Sequence, residues 1–395
     1  MTLDLTRLSS RIDDLAQSTD SVPTAEQLSG LANAVGVIDG NDLTGRITSA
    51  KTTWLLAEPV DAFQGTVAAS APPAEYSAVA SDGSFILPDR HSPARFYIIN
   101  IGKVVLRYGS DPHAEITADP EIYFREHELY VPNEVKRIPV NGSLLGFKRA
   151  AEELRAVAEV AFDQACPTLA MQDGTLILWG LETYPQPVVD WILEDYLGTL
   201  DVLQERGIPI ASYISSPASS DVMNSVRVSV CDYPLHGRPV DCHDCHRRAL
   251  YDGHTPACDW IPDVTDRFLF ERVAKLQPGE RSQIFASRSD ILKRYGPRHR
   301  VHFFYLHSGT EIARVEVPAW VVQDSAKLEL VHATIYDQCV NGRGYPTALQ
   351  EAHEVAAIRP DERRAVETLV EEALANHGHV YRRSAKDESK RGRFI

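Results

Sequence analysis

The chain has 395 residues, 44% of them hydrophobic and 24% charged, with a formal net charge of -15. That is ample for a large hydrophobic core, in one domain with insertions or in two. The negative balance excludes a DNA coat protein held by charge alone, but not an enzyme with a local basic track. No apolar run reaches the roughly 18–20 residues of a membrane span, and the start lacks the basic-then-apolar layout of a secretory signal. The chain therefore reads as cytoplasmic, with no membrane partner.

Residues 1–75 read as a helical region followed by a linker. Leu3, Leu5, Leu8, Ile12 and Leu15 recur at helical spacing, and the stretch 57–75 is rich in Ala, Pro and Ser. A strand is predicted over Tyr76–Ser81, stopping at Asp82–Gly83, and a second over residues 95–108. A helix follows at 146–165. A further strand covers LAMQDGTLILWGL, interrupted at Asp173–Gly174. Next come a helix at 187–206 and a strand in IPIASYISSP. A hairpin is predicted across Ser308–Gly309, joining HRVHFFYLHSG to EIARVEVPAWV. Two helices, about 346–357 and 360–376, precede a basic tail. Alternating strands and helices indicate an α/β domain with a mixed sheet flanked by helices, here over residues 76–380. A segment rich in Cys, His, Pro and Asp at 230–262 reads as an insertion within it.

Each Asp–Gly pair alone is compatible with a turn. Both lie in apolar surroundings, however, where an aspartate is costly unless its charge is compensated. A divalent cation compensates it, and the adjacent glycine leaves room for a phosphate backbone. Hard oxygen donors suit Mn²⁺ or Mg²⁺, and such ions activate water for phosphodiester cleavage. Asp82 and Asp173 are therefore the primary metal-ligand candidates. The intervening helix offers Glu152 and Glu153; Glu153 lies on the inward stripe with Ala150 and Val157 and is favoured. Glycines 342 and 344 with Pro346 suggest a rigid turn holding Tyr345 at a cleft. His353, on the helix that follows, is a candidate metal ligand or proton donor. Arg314 and Glu316 face one side of a strand, as an inward ion pair or as neighbours of the site. Arg227 is a candidate phosphate contact, with simple surface solvation as the alternative.

Four of the six cysteines, Cys231, Cys242, Cys245 and Cys258, fall within the insertion. Cys242 and Cys245 form a C-x₂-C knuckle, and the four together could hold a structural Zn²⁺. An iron–sulfur cluster or plain surface thiols are the alternatives. At residues 381–395, Arg382, Arg383, Lys390 and Arg391 stand out against the acidic whole. They read as a DNA or partner contact, or as a solvated tail.

At this point the motifs resemble a known family. ASDGSF, the Glu-bearing helix, QDGTLI, the YISSP…DVMNSVR segment, ARVEVPAWV and DQCVNGRGYPTALQEAHEVAAI occur in the order seen in NurA nucleases. The resemblance covers about residues 76–395. It implies an RNase H-like core and a Mn²⁺-dependent exonuclease and endonuclease acting on DNA ends. It also implies a homodimer docked on a HerA-type hexameric ATPase, in repair or in defence against foreign DNA. It matches Asp82 and Asp173 to the family's metal-binding aspartates and Glu153 or Glu152 to the glutamate between them. Tyr345 and His353 match its C-terminal tyrosine and histidine. The cysteine-rich segment departs from that pattern. A catalytically silent docking adaptor would be expected to lack the acidic ligands. An actin-like ATPase would need phosphate loops, which are absent from the sequence.

Overall fold

The computed structural model describes residues 4–18, 23–87, 94–132, 137–232 and 239–379. Its centre is a mixed eleven-stranded sheet. The strands are β1 (Ala57–Pro59), β2 (Thr66–Ala68), β3 (Tyr76–Ile86), β4 (Tyr97–Tyr108), β5 (His113–Tyr123), β6 (Thr168–Asp173), β7 (Ile210–Ile214), β8 (Glu280–Ser282), β9 (Phe285–Ser287), β10 (Val301–His307) and β11 (Ile312–Pro318). They run in the order β1-β9-β10-β11-β7-β6-β3-β4-β5, with β8 pairing both β10 and β2. β3, β4 and β5 form an antiparallel meander, while β6 runs parallel to β3 and β7 parallel to β6. Helices Gly142–Phe162 and Gln186–Glu205 make the crossovers. The order β5-β4-β3-β6-β7 with these directions is an RNase H-like core.

The crossover helix Gly142–Phe162 forms because its apolar residues recur every three or four positions. Leu144, Leu145, Ala151, Leu154, Val157, Ala158 and Ala161 are buried against the sheet. β3 does not stop at Asp82. It continues to Ile86, because β4 runs alongside it, with Asp82 opposite Gly102 and Gly83 opposite Ile101. Paired on that edge, the backbone has no reason to turn. The second Asp–Gly pair does end its strand: Gly174 takes φ +84°, and Thr175–Leu178 is a loop, not a continuing strand. Leu176, Ile177 and Leu178 are nonetheless buried. An apolar run reports burial, not the type of element. The predicted hairpin across Ser308–Gly309 is present as β10 and β11.

Residues 57–75 are not a linker. β1 pairs with β9 and β2 with β8, so this stretch extends the sheet. Nor does packing divide at residue 75. Helices Ala25–Gly36 and Gly40–Ser49 contribute Leu31, Leu43 and Ile47 to a second core that also holds Val222, Val226, Ile261 and Phe303. The cysteine-rich segment contains helix Cys242–Asp252. It is tied to the N-terminal part through Lys51, whose N–H donates to Val240 O at 2.8 Å and whose O accepts from Cys242 N at 2.9 Å. Among the described residues, no helix is long and apolar enough to cross a membrane.

Candidate active site

β3 and β6 run parallel, with Ser81 paired to Gln172. The next residue on each strand is an aspartate, so Asp82 and Asp173 stand side by side and project to the same face. The C-terminal motif meets both. His353 Nδ1 lies 2.8 Å from Asp82 Oδ2, and the Tyr345 hydroxyl donates to Asp173 Oδ1 at 2.8 Å. Asp82 Oδ1 also accepts from Gly83 N at 2.7 Å. The His353 side chain is 68% exposed and that of Asp82 only 14%, so the imidazole forms the solvent side of the site.

The sheet itself places the helix that carries His353. Asn100 Nδ2 on β4 donates to Val355 O at 3.2 Å and Ala356 O at 2.9 Å. Gly102 lets helix Thr347–Ala356 settle on the strand: a Cβ there would lie 2.6 Å from Ala352 O. Tyr345 is held by the turn before it, where Arg343 and Gly344 take φ +57° and +112°. Its ring packs edge-on against Tyr213 at 5.3 Å.

Glu153 approaches from helix Gly142–Phe162. It is 4% exposed, and its carboxylate fills the space a side chain at position 83 would take, since a Gly83 Cβ would stand 2.7 Å from Glu153 Oε1. Ser81 Oγ donates to the Glu153 carbonyl at 2.7 Å. Arg149 Nε lies 3.0 Å from Glu153 Oε1, but poorly aligned, and neither atom makes a hydrogen bond. Burial pushes the Glu153 carboxyl up to about 8; Arg149 pulls against that shift, while Asp82 and Asp173 add to it. Glu152 looks elsewhere. It pairs with Lys148 and accepts from the Tyr123 hydroxyl at 2.9 Å. Of the two candidates, Glu153 is the one gathered with the aspartates.

Three carboxylates crowded in this way repel one another, and the buried Glu153 Oε1 has no donor. Both features fit a divalent cation with hard oxygen ligands, Mn²⁺ or Mg²⁺. As placed, no three His, Cys, Asp or Glu side chains among the described residues stand close enough to share an ion. Asp82 and Asp173 are turned toward His353 and Tyr345, so holding a cation requires side-chain rotation. Burial and the neighbouring Asp173 raise the Tyr345 phenol well above its ordinary range, which keeps it a hydrogen-bond donor.

One residue at the site, Arg149, is not singled out by sequence reasoning. Arg149 donates to Gly83 O at 2.7 Å and stands over Glu153; its i, i+4 spacing from Glu153 is the available signal. Arg314 is a buried ion-pair residue, with Nε 2.9 Å from Glu316 Oε1 and a terminal nitrogen 2.8 Å from Asp221 Oδ2. Glu316 Oε2 in turn accepts from Thr175 Oγ1 at 2.7 Å and Leu176 N at 2.9 Å. The pair thus secures the loop that follows Asp173, so it is an inward ion pair placed beside the site. Arg227 does not present itself to DNA. Its side chain is 11% exposed and engages Asn224, Pro262 and Asp263. Arg382, Arg383, Lys390 and Arg391 lie outside the described residues. Cys231, Cys242, Cys245 and Cys258 border one cavity, remote in sequence from the carboxylates.

The fold and site define an α/β protein of RNase H-like topology that gathers three carboxylates where the pairing of its parallel strands β3 and β6 ends. Residues 76–358 match the model of the NurA domain, and the chain belongs to the NurA family. Among solved structures it is similar to the NurA nuclease from Sulfolobus solfataricus, at 12% identity over 93% of this chain and 98% of that one, with a TM-score of 0.49. A looser similarity links it to the Argonaute of Aquifex aeolicus, at 8% identity over 74% of this chain and 29% of that one, with a TM-score of 0.25. No curated protein matches the sequence.

Proposed function

We propose that this chain is a divalent-metal-dependent deoxyribonuclease that processes DNA ends as a homodimer together with a HerA-type hexameric ATPase. The observation that carries the chemistry is the meeting of Asp82, Asp173 and Glu153 with His353 and Tyr345. Membership of the NurA family supports the substrate and the partner. In this reading Asp82, Asp173 and Glu153 hold Mn²⁺ or Mg²⁺, which when bound activates water and stabilises charge on the leaving oxygen. Without the ion, His353 and Tyr345 hold Asp82 and Asp173 by hydrogen bonds. His353, exposed to solvent, can pass a proton to the departing oxygen. A bound cation would compensate the Glu153 charge that burial and the two aspartates disfavour. The basic run containing Arg382, Arg383, Lys390 and Arg391 contacts the DNA backbone. The biological setting is repair or defence against foreign DNA.

The test is cleavage of end-labelled duplex and single-stranded DNA with Mn²⁺, with and without a HerA-type partner. A metal ligand contributes several kcal/mol to the transition state, so Asp82→Ala should lower the rate by about 100-fold or more. Chelation by EDTA should abolish cleavage. Equal rates for Asp82→Ala and wild type would overturn the assignment. No cleavage under any condition, with DNA and partner still bound, would favour a docking adaptor.

A further inference from the structure

We infer that Cys231, Cys242, Cys245 and Cys258 form a tetrathiolate zinc site, separate from the carboxylates, that fastens the cysteine-rich lobe to the second core. The four residues come from three separate chain segments. Cys231 follows the helix Asp221–Ser229, Cys242 and Cys245 occupy the first turn of helix Cys242–Asp252, and Cys258 sits in the turn closed by the Ile261 N to Cys258 O bond at 3.1 Å. All four line a single cavity of about 290 Å³. None is joined in a disulfide.

Cys242 and Cys245 are three residues apart on a helix, so their side chains share one face. A C-x₂-C pair of this kind grips one ion with two thiolates. The other two cysteines close the opposite side. Four sulfur donors with no open position describe a structural zinc site. As placed, no three of these donors stand close enough to share an ion. Binding therefore draws the sulfurs inward across the cavity, and each bound thiol releases its proton to solvent.

The need for such a clamp is visible in the packing. Among the described residues between Cys231 and Cys258, few apolar side chains join the second core, Val240 among them. Arg227 already bridges from the helix to Pro262 and Asp263. A metal cross-link would close the same loop and stabilise it at little entropic cost in the folded state.

The experiment is metal analysis of the purified full-length protein, with Cys242→Ser and Asp82→Ala variants in parallel. The expected result is about one zinc per chain, retained in Asp82→Ala and reduced by at least about half in Cys242→Ser. Because that variant could misfold, the wild-type protein is also loaded with Co²⁺. A tetrathiolate site then shows the intense visible bands of tetrahedral cobalt together with sulfur-to-metal charge transfer. Less than about half an equivalent of zinc, zinc lost with Asp82→Ala, iron in place of zinc, or an octahedral Co²⁺ spectrum would each overturn the assignment.

Discussion

Glu152 and Glu153 are adjacent on one helix and both buried, yet their surroundings assign them different tasks. Glu152 is neutralised by Lys148 and Tyr123. Glu153 stands against Gly83 with a misaligned Arg149 and two aspartates for company. Glu153→Gln is expected to lower Mn²⁺-dependent cleavage by about 100-fold or more while leaving thermal stability at neutral pH nearly unchanged, because burial already keeps that carboxyl protonated and neutral. Glu152→Gln should do the reverse, retaining cleavage and losing stability by about 1–3 kcal/mol as the half-buried Lys148 is deprived of its countercharge. Paired rate and melting measurements on the two variants check this, and equal effects on cleavage would remove the distinction. The inward stripe of Ala150 and Val157 is enough to prefer Glu153 from the sequence. The bonds from His353 to Asp82 and from Tyr345 to Asp173 are not legible there, because they join residues 271 and 172 positions apart. The burial of Arg227 is hidden for a related reason. Its partners Pro262 and Asp263 lie across the cysteine-rich segment, where no periodicity announces a fold.

At the scale of elements, the site depends on how closely helix Thr347–Ala356 approaches β4. Gly102→Ala places a methyl group 2.6 Å from Ala352 O and 2.9 Å from Ala356 N, both backbone atoms. The helix must lift, which is expected to cost about 1–3 kcal/mol of stability and to reduce cleavage by displacing His353 from Asp82. An unchanged denaturation midpoint would show that the helix has slack. A second element carries a pH signature. His332, in helix Ser325–Asn341, donates through Nε2 to Gly279 O at 2.9 Å and is buried against Phe304. Burial, with Arg281 adding to it, depresses its pKa from 6.5 to about 4. The folded chain therefore keeps the ring neutral while the unfolded chain takes up a proton near its ordinary value. The stability present above pH 6.5 is lost as pH falls toward 4, by roughly 3 kcal/mol at most. His332→Gln, which preserves a donor, should flatten that part of the stability profile; an unaltered slope would contradict the account. Element types are mostly legible from periodicity. The ends of β3 and β6 are not, because one Asp–Gly pair lies within a paired strand and the other turns out of the sheet.

Among the described residues, two large cores share one sheet, with a small third cluster at Ile86, Phe96 and Ile98. The order of motifs over residues 76–358 makes the RNase H-like half readable. The second core is hidden because it joins residues 25–49 to residues beyond 220, a pairing that local pattern does not encode. With a net charge of -15, the proposed DNA substrate would have to be met by local positive charge, and the strongest run is at residues 381–395. Removing that run is expected to weaken DNA binding and flatten its salt dependence, by about 0.9 in the slope of log K against log salt for each phosphate no longer neutralised. Affinity and slope equal to those of the full chain would assign the tail another purpose. The central claim is that Asp82, Asp173 and Glu153 hold the ion that cuts DNA. Its most direct test is Mn²⁺ binding, followed by electron paramagnetic resonance of the free ion, in the wild type, Asp82→Ala and Asp173→Ala. The account predicts saturable binding in the wild type that disappears in both variants together with cleavage. Undiminished Mn²⁺ binding in the two variants would contradict it.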